Sequence, residues 1–233
     1  MDSQKNNGKI TNKKPKEPKQ PKEPKQPKEP KQPKEPKEKI INRGTGAGGA
    51  NTNTNGKKFE ELTNNQQKLI DQGYEKHTIN KTKYGYCYKK KFEDREIVYV
   101  SQKGFRTYMS KVCKISKDEL FRDPDEAYII TYTTGRKVIK IVEAKTQNVD
   151  GSVDIKLLAS PMFAEEYRIA LNNQFEIEYL LCLDTYFQKE FEKKEKKGKY
   201  KALEKILDKF KIPILFGKEN DYFEKLNNWI TAF

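Results

Sequence analysis

Asp125, Glu143 and Lys145 are the residues of this 233-residue chain whose types and spacing could do chemistry. Pro124-Asp125-Glu126-Ala127 opens one apolar run, and Val142-Glu143-Ala144-Lys145-Thr146-Gln147 closes the next. Side chains alternate faces along a strand, so Glu143 and Lys145 point the same way. If the two runs pair antiparallel, Asp125 approaches both. Two carboxylates and the backbone carbonyl of Ala144 then make a hard-oxygen site suited to Mg²⁺, with several waters kept. Such an ion neutralises phosphate charge and acidifies water. A lysine beside it would orient the attacking water and stabilise charge growing on the phosphorus oxygens. The chemistry would be hydrolysis of a phosphodiester, with no histidine, cysteine or organic cofactor.

The same pattern arises by chance in a chain that is 35% charged, where it would be a hairpin with solvated acids and lysine. Three features favour the site. Proline precedes the first acid, apolar residues anchor both strands (Ile129, Ile130; Val138, Ile139, Ile141, Val142), and Gln147 continues the face.

The elements that must position these residues are read from periodicity and turn chemistry. Strands are expected over 127–132 and 137–144, joined by the hairpin-like Thr133-Thr134-Gly135-Arg136. Further strands are expected at 96–101, 175–183 and 212–216. Helices are expected at 57–71, 103–113, 152–158, 162–171, 185–195, 200–210 and 220–230. Ser116-Lys117-Asp118-Glu119 has the look of a capping box ahead of a short turn. Tyr74, Tyr84, Tyr86 and Tyr88 stand among lysines in a polar-aromatic stretch with no assigned element. Strands alternating with helices after a hairpin indicate an α/β domain with a mixed central β-sheet flanked by helices. Strand order is not readable.

Residues 1–43 hold 14 Lys+Arg against 6 acids, more than half of the chain's net +14, and eight of its eleven prolines. The hexamer PKEPKQ runs four times over residues 15–38, the last copy ending in Glu38. Proline at every third position forbids helix and sheet, so a disordered tail is expected. It would be an extended polyproline II rod of roughly 75 Å at about 3.1 Å per residue. It serves as a sequence-blind tether for polyanions or as a soluble spacer. Residues 44–56, rich in Gly and Asn, read as a linker or loop, and 57–233 as the catalytic domain. Gly44-Thr45-Gly46-Ala47-Gly48-Gly49 matches GxGxxG, but no buried strand precedes it, so a dinucleotide site is not expected.

Other classes are disfavoured. Nothing approaches the roughly 18 apolar residues of a membrane helix, and residues 1–10 lack the apolar stretch of a secretory signal. Cys87, Cys113 and Cys182 are odd in number and widely spaced, which fits a reducing, intracellular setting in cytoplasm or nucleus. His77 is the one histidine; it reads as a surface or structural residue.

At Pro124-Asp125 and Glu143-Ala144-Lys145 the chain resembles the PD-(D/E)XK nucleases. More narrowly, it is similar to type II restriction endonucleases of large algal DNA viruses and bacterial relatives. The matching text continues through Gly46-Ala47-Gly48-Gly49-Ala50-Asn51-Thr52-Asn53, Gly56 and Phe59-Glu60. It resumes at Glu143–Val149, at Gly151–Leu157, at Asp221-Tyr222-Phe223 and at Trp229-Ile230, and so covers residues 44–233. The resemblance implies a restriction-endonuclease-like core and an Mg²⁺-dependent endonuclease for double-stranded DNA, often a homodimer cutting a short palindrome. It also implies a further acid near the metal at Glu60, which otherwise reads as an exposed helix acid. A nicking or structure-specific nuclease on the same core, or an inactive DNA-binding protein, would share these motifs. For DNA contacts, Arg95, Arg106 and Arg136 are candidate base readers, and Lys197 and Lys199 candidate phosphate contacts.

Overall fold

In a computed structural model of the chain, described over residues 49–147, 152–193, 195 and 198–232, side chains are described from residue 54. The apolar runs that bracket the candidate residues form the two middle strands of a seven-stranded sheet. These are β4 (Glu126–Tyr132) and β5 (Lys137–Lys145), antiparallel, with Glu126 opposite Val142 and Thr131 opposite Lys137. β3 (Arg95–Ser101) pairs antiparallel with β4, followed outward by β2 (Tyr86–Lys91) and the edge strand β1 (Glu75–Thr78). On the other flank β6 (Glu176–Leu183) and β7 (Ile214–Phe216) run parallel to β5. The spatial order is therefore the sequence order, β1 to β7, antiparallel as far as β5 and parallel beyond it.

Parallel strands need crossovers, and helices supply them on both faces of the sheet. On one face Val98, Val100, Ile129, Ile139, Ile141, Leu181 and Leu183 pack against α3 (Lys103–Lys111), α4 (Val153–Leu158), α5 (Ser160–Ala170), α6 (Thr185–Glu192) and α7 (Gly198–Lys209). On the other, Ile97, Tyr99, Tyr128, Ile130, Val138, Val142 and Leu180 meet α1 (Gly49–Thr63), α2 (Gln66–Asp71) and α8 (Tyr222–Thr231). The expected α/β class with a mixed, helix-flanked sheet is what the chain forms.

Several expectations need correction. The single helix expected over 57–71 is two helices broken at Asn64-Asn65. Thr63 Oγ1 turns back to Phe59 O, Asn64 Oδ1 accepts from Gln66 N, and Asn65 N donates instead to Glu126 Oε1. Each bond offers the backbone an alternative to the helical ladder. The stretch read as linker is helical from Gly49 onward. The unassigned polar-aromatic stretch is the β1–β2 hairpin, and its lack of an apolar alternation follows from β1 being exposed on both faces. The capping serine reads correctly: Ser116 Oγ accepts from Asp118 N and opens a 3₁₀ turn over Lys117–Glu119. The proline-rich tail expected over 1–43 lies outside the described residues.

Candidate active site

β4 starts where β5 ends, because the two are antiparallel, so Asp125 and the Glu143–Lys145 segment meet at one end of the sheet. Asp125 precedes the first residue of β4, and its Oδ2 accepts from the Ala144 backbone N–H at 2.8 Å. That bond fixes the carboxylate against the last turn-free residues of β5. Glu143 and Lys145 share a face, as alternation requires. Lys145 Nζ stands 2.5 Å from Glu143 Oε1, 3.1 Å from the Ala144 carbonyl oxygen and 3.8 Å from Asp125 Oδ2. The aromatic residues behind Glu143 are Tyr167 on α5 and Tyr179 on β6; burial foremost, and then the charge of Glu143, raise both phenols well above their ordinary value.

The electrostatics are those of carboxylates crowded out of water. Asp125 is pushed up to about 7, first by burial and then by the charge of Glu143, with Lys145 and the Ala144 N–H opposing. Glu60 is also raised, by burial foremost, and Lys145 and Glu143 act on it with opposite signs. α1 therefore brings Glu60 to the same site, where Gln102 Nε2 donates to its Oε2 at 3.0 Å. Glu60, Asp125, Ala144, Gln102 and Lys57 line one cleft of about 470 Å³.

Do these groups fit a divalent cation? Glu143 Oε2 is buried with no hydrogen-bond partner, a costly state for a carboxylate oxygen. Asp125 beside it is pushed toward protonation by burial and then by its neighbour's charge. Both defects are cured by a cation. Among the described residues, no three His, Cys, Asp or Glu side chains cluster closely enough to hold one unaided. The donor set is thus two carboxylates, a carbonyl and water, which suits Mg²⁺, an ion reluctant to shed its waters. The residues fit.

Gln147 lies just past the end of β5, buried, with both side-chain polar atoms unpaired. Its backbone N–H donates to Asp184 Oδ2 at 3.1 Å, and Thr146 Oγ1 donates to the same oxygen. Asp184 also caps α6 through Tyr186 N, and so pins the segment after Lys145 to a helix start. Sequence reasoning missed Asp184, although Asp-Thr ahead of a helix is a readable cap signal. It missed Gln102 and the two tyrosines as well. Tyr179 is indistinguishable in sequence from ordinary core, but Gln102 has a signature only in three dimensions: φ 34°, ψ −118° at a non-glycine residue beside the site.

The remaining candidates lie elsewhere. Arg136, in the β4–β5 turn at the opposite end of the sheet, makes a two-pronged pair with Glu176 at 2.7 and 2.9 Å. Arg95, also at that end, donates to Tyr132 Oη and to the Thr231 carbonyl. Arg106 on α3 binds Asp123 at 2.6 Å. Arg95 and Arg136 thus lie at the end of the sheet opposite Asp125, and Arg106 is held to Asp123, two residues before Asp125. Lys199, in the first turn of α7, pairs with Asp154 at 2.7 Å; Lys197 lies outside the described residues. His77 is exposed on β1, as a surface residue should be. Among the described residues no helix is long and apolar enough to cross a membrane. Comparison with known proteins returns no matching family model, no matching curated protein and no matching solved structure.

Proposed function

We propose that the chain is an Mg²⁺-dependent endonuclease that hydrolyses phosphodiester bonds of double-stranded DNA, with a PD-(D/E)XK centre. The observation that carries the reading is the placement of Lys145 Nζ between Glu143 and Asp125, beside a buried, unpaired Glu143 oxygen. A purely structural salt bridge would satisfy both carboxylates; this one leaves a Glu143 oxygen buried without a hydrogen-bond partner.

Asp125, Glu143 and the Ala144 carbonyl would hold the ion. When bound, the ion would neutralise the scissile phosphate and acidify a water. Lys145 would orient the attacking water and donate to the phosphoryl oxygens as their charge grows. Gln102 holds Glu60 by its amide, and Asp184 holds the Thr146-Gln147 segment. Both fix the geometry that the attack requires.

The test is digestion of a sequenced supercoiled plasmid by the full chain with Mg²⁺, with and without EDTA. The expected result is discrete fragments that end mapping assigns to one short site, abolished by EDTA. Relaxed circles without linear product would assign a nick rather than a double-strand cut. DNA left intact across Mg²⁺ concentrations by a folded chain would overturn the reading.

A further inference from the structure

Residues 75–91 are one of two strongly basic segments of the folded part, the other being residues 193–211 with nine lysines against three acids. Residues 75–91 hold six lysines against the single acid Glu75, net +5, whereas residues 44–233 together come to net +6. These residues are the β1–β2 hairpin, and its tip, residues 79–85, projects past the sheet at the end where Asp125 and Glu143 lie. The register shows this: Ser101 pairs with Glu126, Tyr99 with Tyr88, and Tyr86 with Thr78, so the turn follows the same end as the start of β4.

The tip is built, not loose. Ile79 N and Asn80 N both donate to Gly85 O, Gly85 N donates to Thr82 O, and Asn80 Oδ1 accepts from the Thr82 backbone and hydroxyl. Gly85 lies so close to Asn80 that a Cβ there would collide with it. Lys81 and Lys83 are exposed and have no carboxylate partner among the described residues. Tyr84 is flanked by Lys83 and Lys103, with ammonium nitrogens 5.4 and 5.3 Å from its ring centre, and Lys76 stands 4.4 Å over Tyr86. Lysine on an edge strand commonly guards against strand pairing, which accounts for Lys76 on β1. It does not account for two lysines without a carboxylate partner among the described residues on an ordered turn beyond the last strand pair.

We infer that the β1–β2 hairpin is the arm that enters the major groove of duplex DNA, with Lys81, Thr82 and Lys83 at its tip. The inference rests on the endonuclease reading of the Asp125–Glu143–Lys145 site. A two-stranded ribbon fits the major groove, which is about 12 Å wide. Strands sit about 4.8 Å apart, so β2 lies roughly 14 Å and β1 roughly 19 Å from β5. A phosphate held at the carboxylates thus leaves the tip about one groove width away. The arginines do not compete for this role, since Arg95, Arg106 and Arg136 are held by intramolecular partners. The ordered turn costs little entropy on binding, which is what a reading element needs.

The experiment compares the full wild-type chain with Lys81→Gln/Lys83→Gln and with a charge-matched control, Lys205→Gln/Lys209→Gln, at the far end of α7. The exposed sites of all four substitutions keep the fold, and a melting curve verifies this. Binding of a 30-base-pair duplex is titrated against salt with Ca²⁺ in place of Mg²⁺, and guanine-N7 methylation interference is mapped on the same duplex. The hairpin variant should bind about tenfold more weakly and lose about two units of the salt slope, since each phosphate contact contributes about 0.9. Its interference pattern should fade, its rate at saturating protein should hold, and the control should match wild type. A wild type that cleaves DNA alongside a hairpin variant with unchanged affinity and interference would overturn the arm while leaving the endonuclease intact. A wild type that binds DNA through the hairpin but never cleaves it would overturn the enzymatic reading and keep the arm. A wild type that binds no duplex overturns both.

Discussion

Asp125 and Glu143 are each held in a state that a bound cation would relieve. Asp125 and Glu126, adjacent but on opposite faces, are both raised to about 7, in each case by burial foremost. Their ordinary values are 3.8 and 4.5, so between about 4 and 7 the folded chain keeps protons that the unfolded chain has shed. Stability therefore falls as pH rises through that window and levels off above it. Melting temperature measured without Mg²⁺ should drop between pH 5 and pH 8. Added Mg²⁺ should recover more of it at pH 8, where Asp125 is ionised and free to bind; Asp125→Asn should abolish that pH-dependent gain. Lys145→Ala and Glu143→Ala should each cut the cleavage rate by on the order of a hundredfold or more, while duplex affinity, measured by titration, changes less than threefold. Normal cleavage by both variants would place the chemistry elsewhere.

At the scale of elements, the α1–α2 break and the first residue of β4 form one joint. Glu126 Oε1 accepts from Asn65 N at 2.8 Å and Tyr99 Oη at 3.2 Å, and its Oε2 accepts from Tyr128 Oη at 2.8 Å. Asn64 and Asn65 close the network onto the same two phenols. The joint holds the C-terminal end of α1 on the sheet, and Glu60 sits one turn before that end. Glu126→Ala leaves three buried donors without their acceptor, which costs on the order of 3 kcal/mol. The expected outcome is a lower denaturant midpoint together with weaker Mg²⁺ activation, because Glu60 loses its mooring. An Mg²⁺ activation curve identical to wild type would show that α1 does not position that acid. Elsewhere Lys140, buried in β5, donates to the Trp229 and Ala232 carbonyls and closes α8 onto the sheet.

At the scale of the whole molecule, charge is partitioned by task. Residues 1–43 carry net +8 and the β1–β2 hairpin net +5, while Glu60, Glu61, Asp125 and Glu126 line the cleft. In the proposed reaction a phosphate backbone would be drawn to the first two by counterion release, and the acids of the third would repel it until a cation is present. Removing residues 1–43 should leave the cleavage pattern and the melting temperature unchanged and lower the salt dependence of binding. A different cut site after truncation, read by end mapping, would show that the repeat takes part in reading sequence.

What could be read from local pattern alone was the fold class and the grouping of the three residues that the proposed chemistry needs. Period-two apolar runs, the Thr133–Arg136 turn and the order of strands and helices were enough for an α/β sheet, since these depend on neighbours within a few residues. The Asp125, Glu143 and Lys145 grouping was legible for the same reason: one hairpin supplies all three. Long-range pairing decided the rest. The sheet order, the parallel flank of β6 and β7, and the approach of Glu60 and Gln102 to the cleft depend on contacts between residues tens of positions apart. The polar β1–β2 hairpin was invisible as a strand pair, because an edge strand wet on both faces has no alternation to read. Arginines read from sequence as candidate base readers make ion pairs and hydrogen bonds within the chain, since an ion pair belongs to two residues and a sequence shows them one at a time.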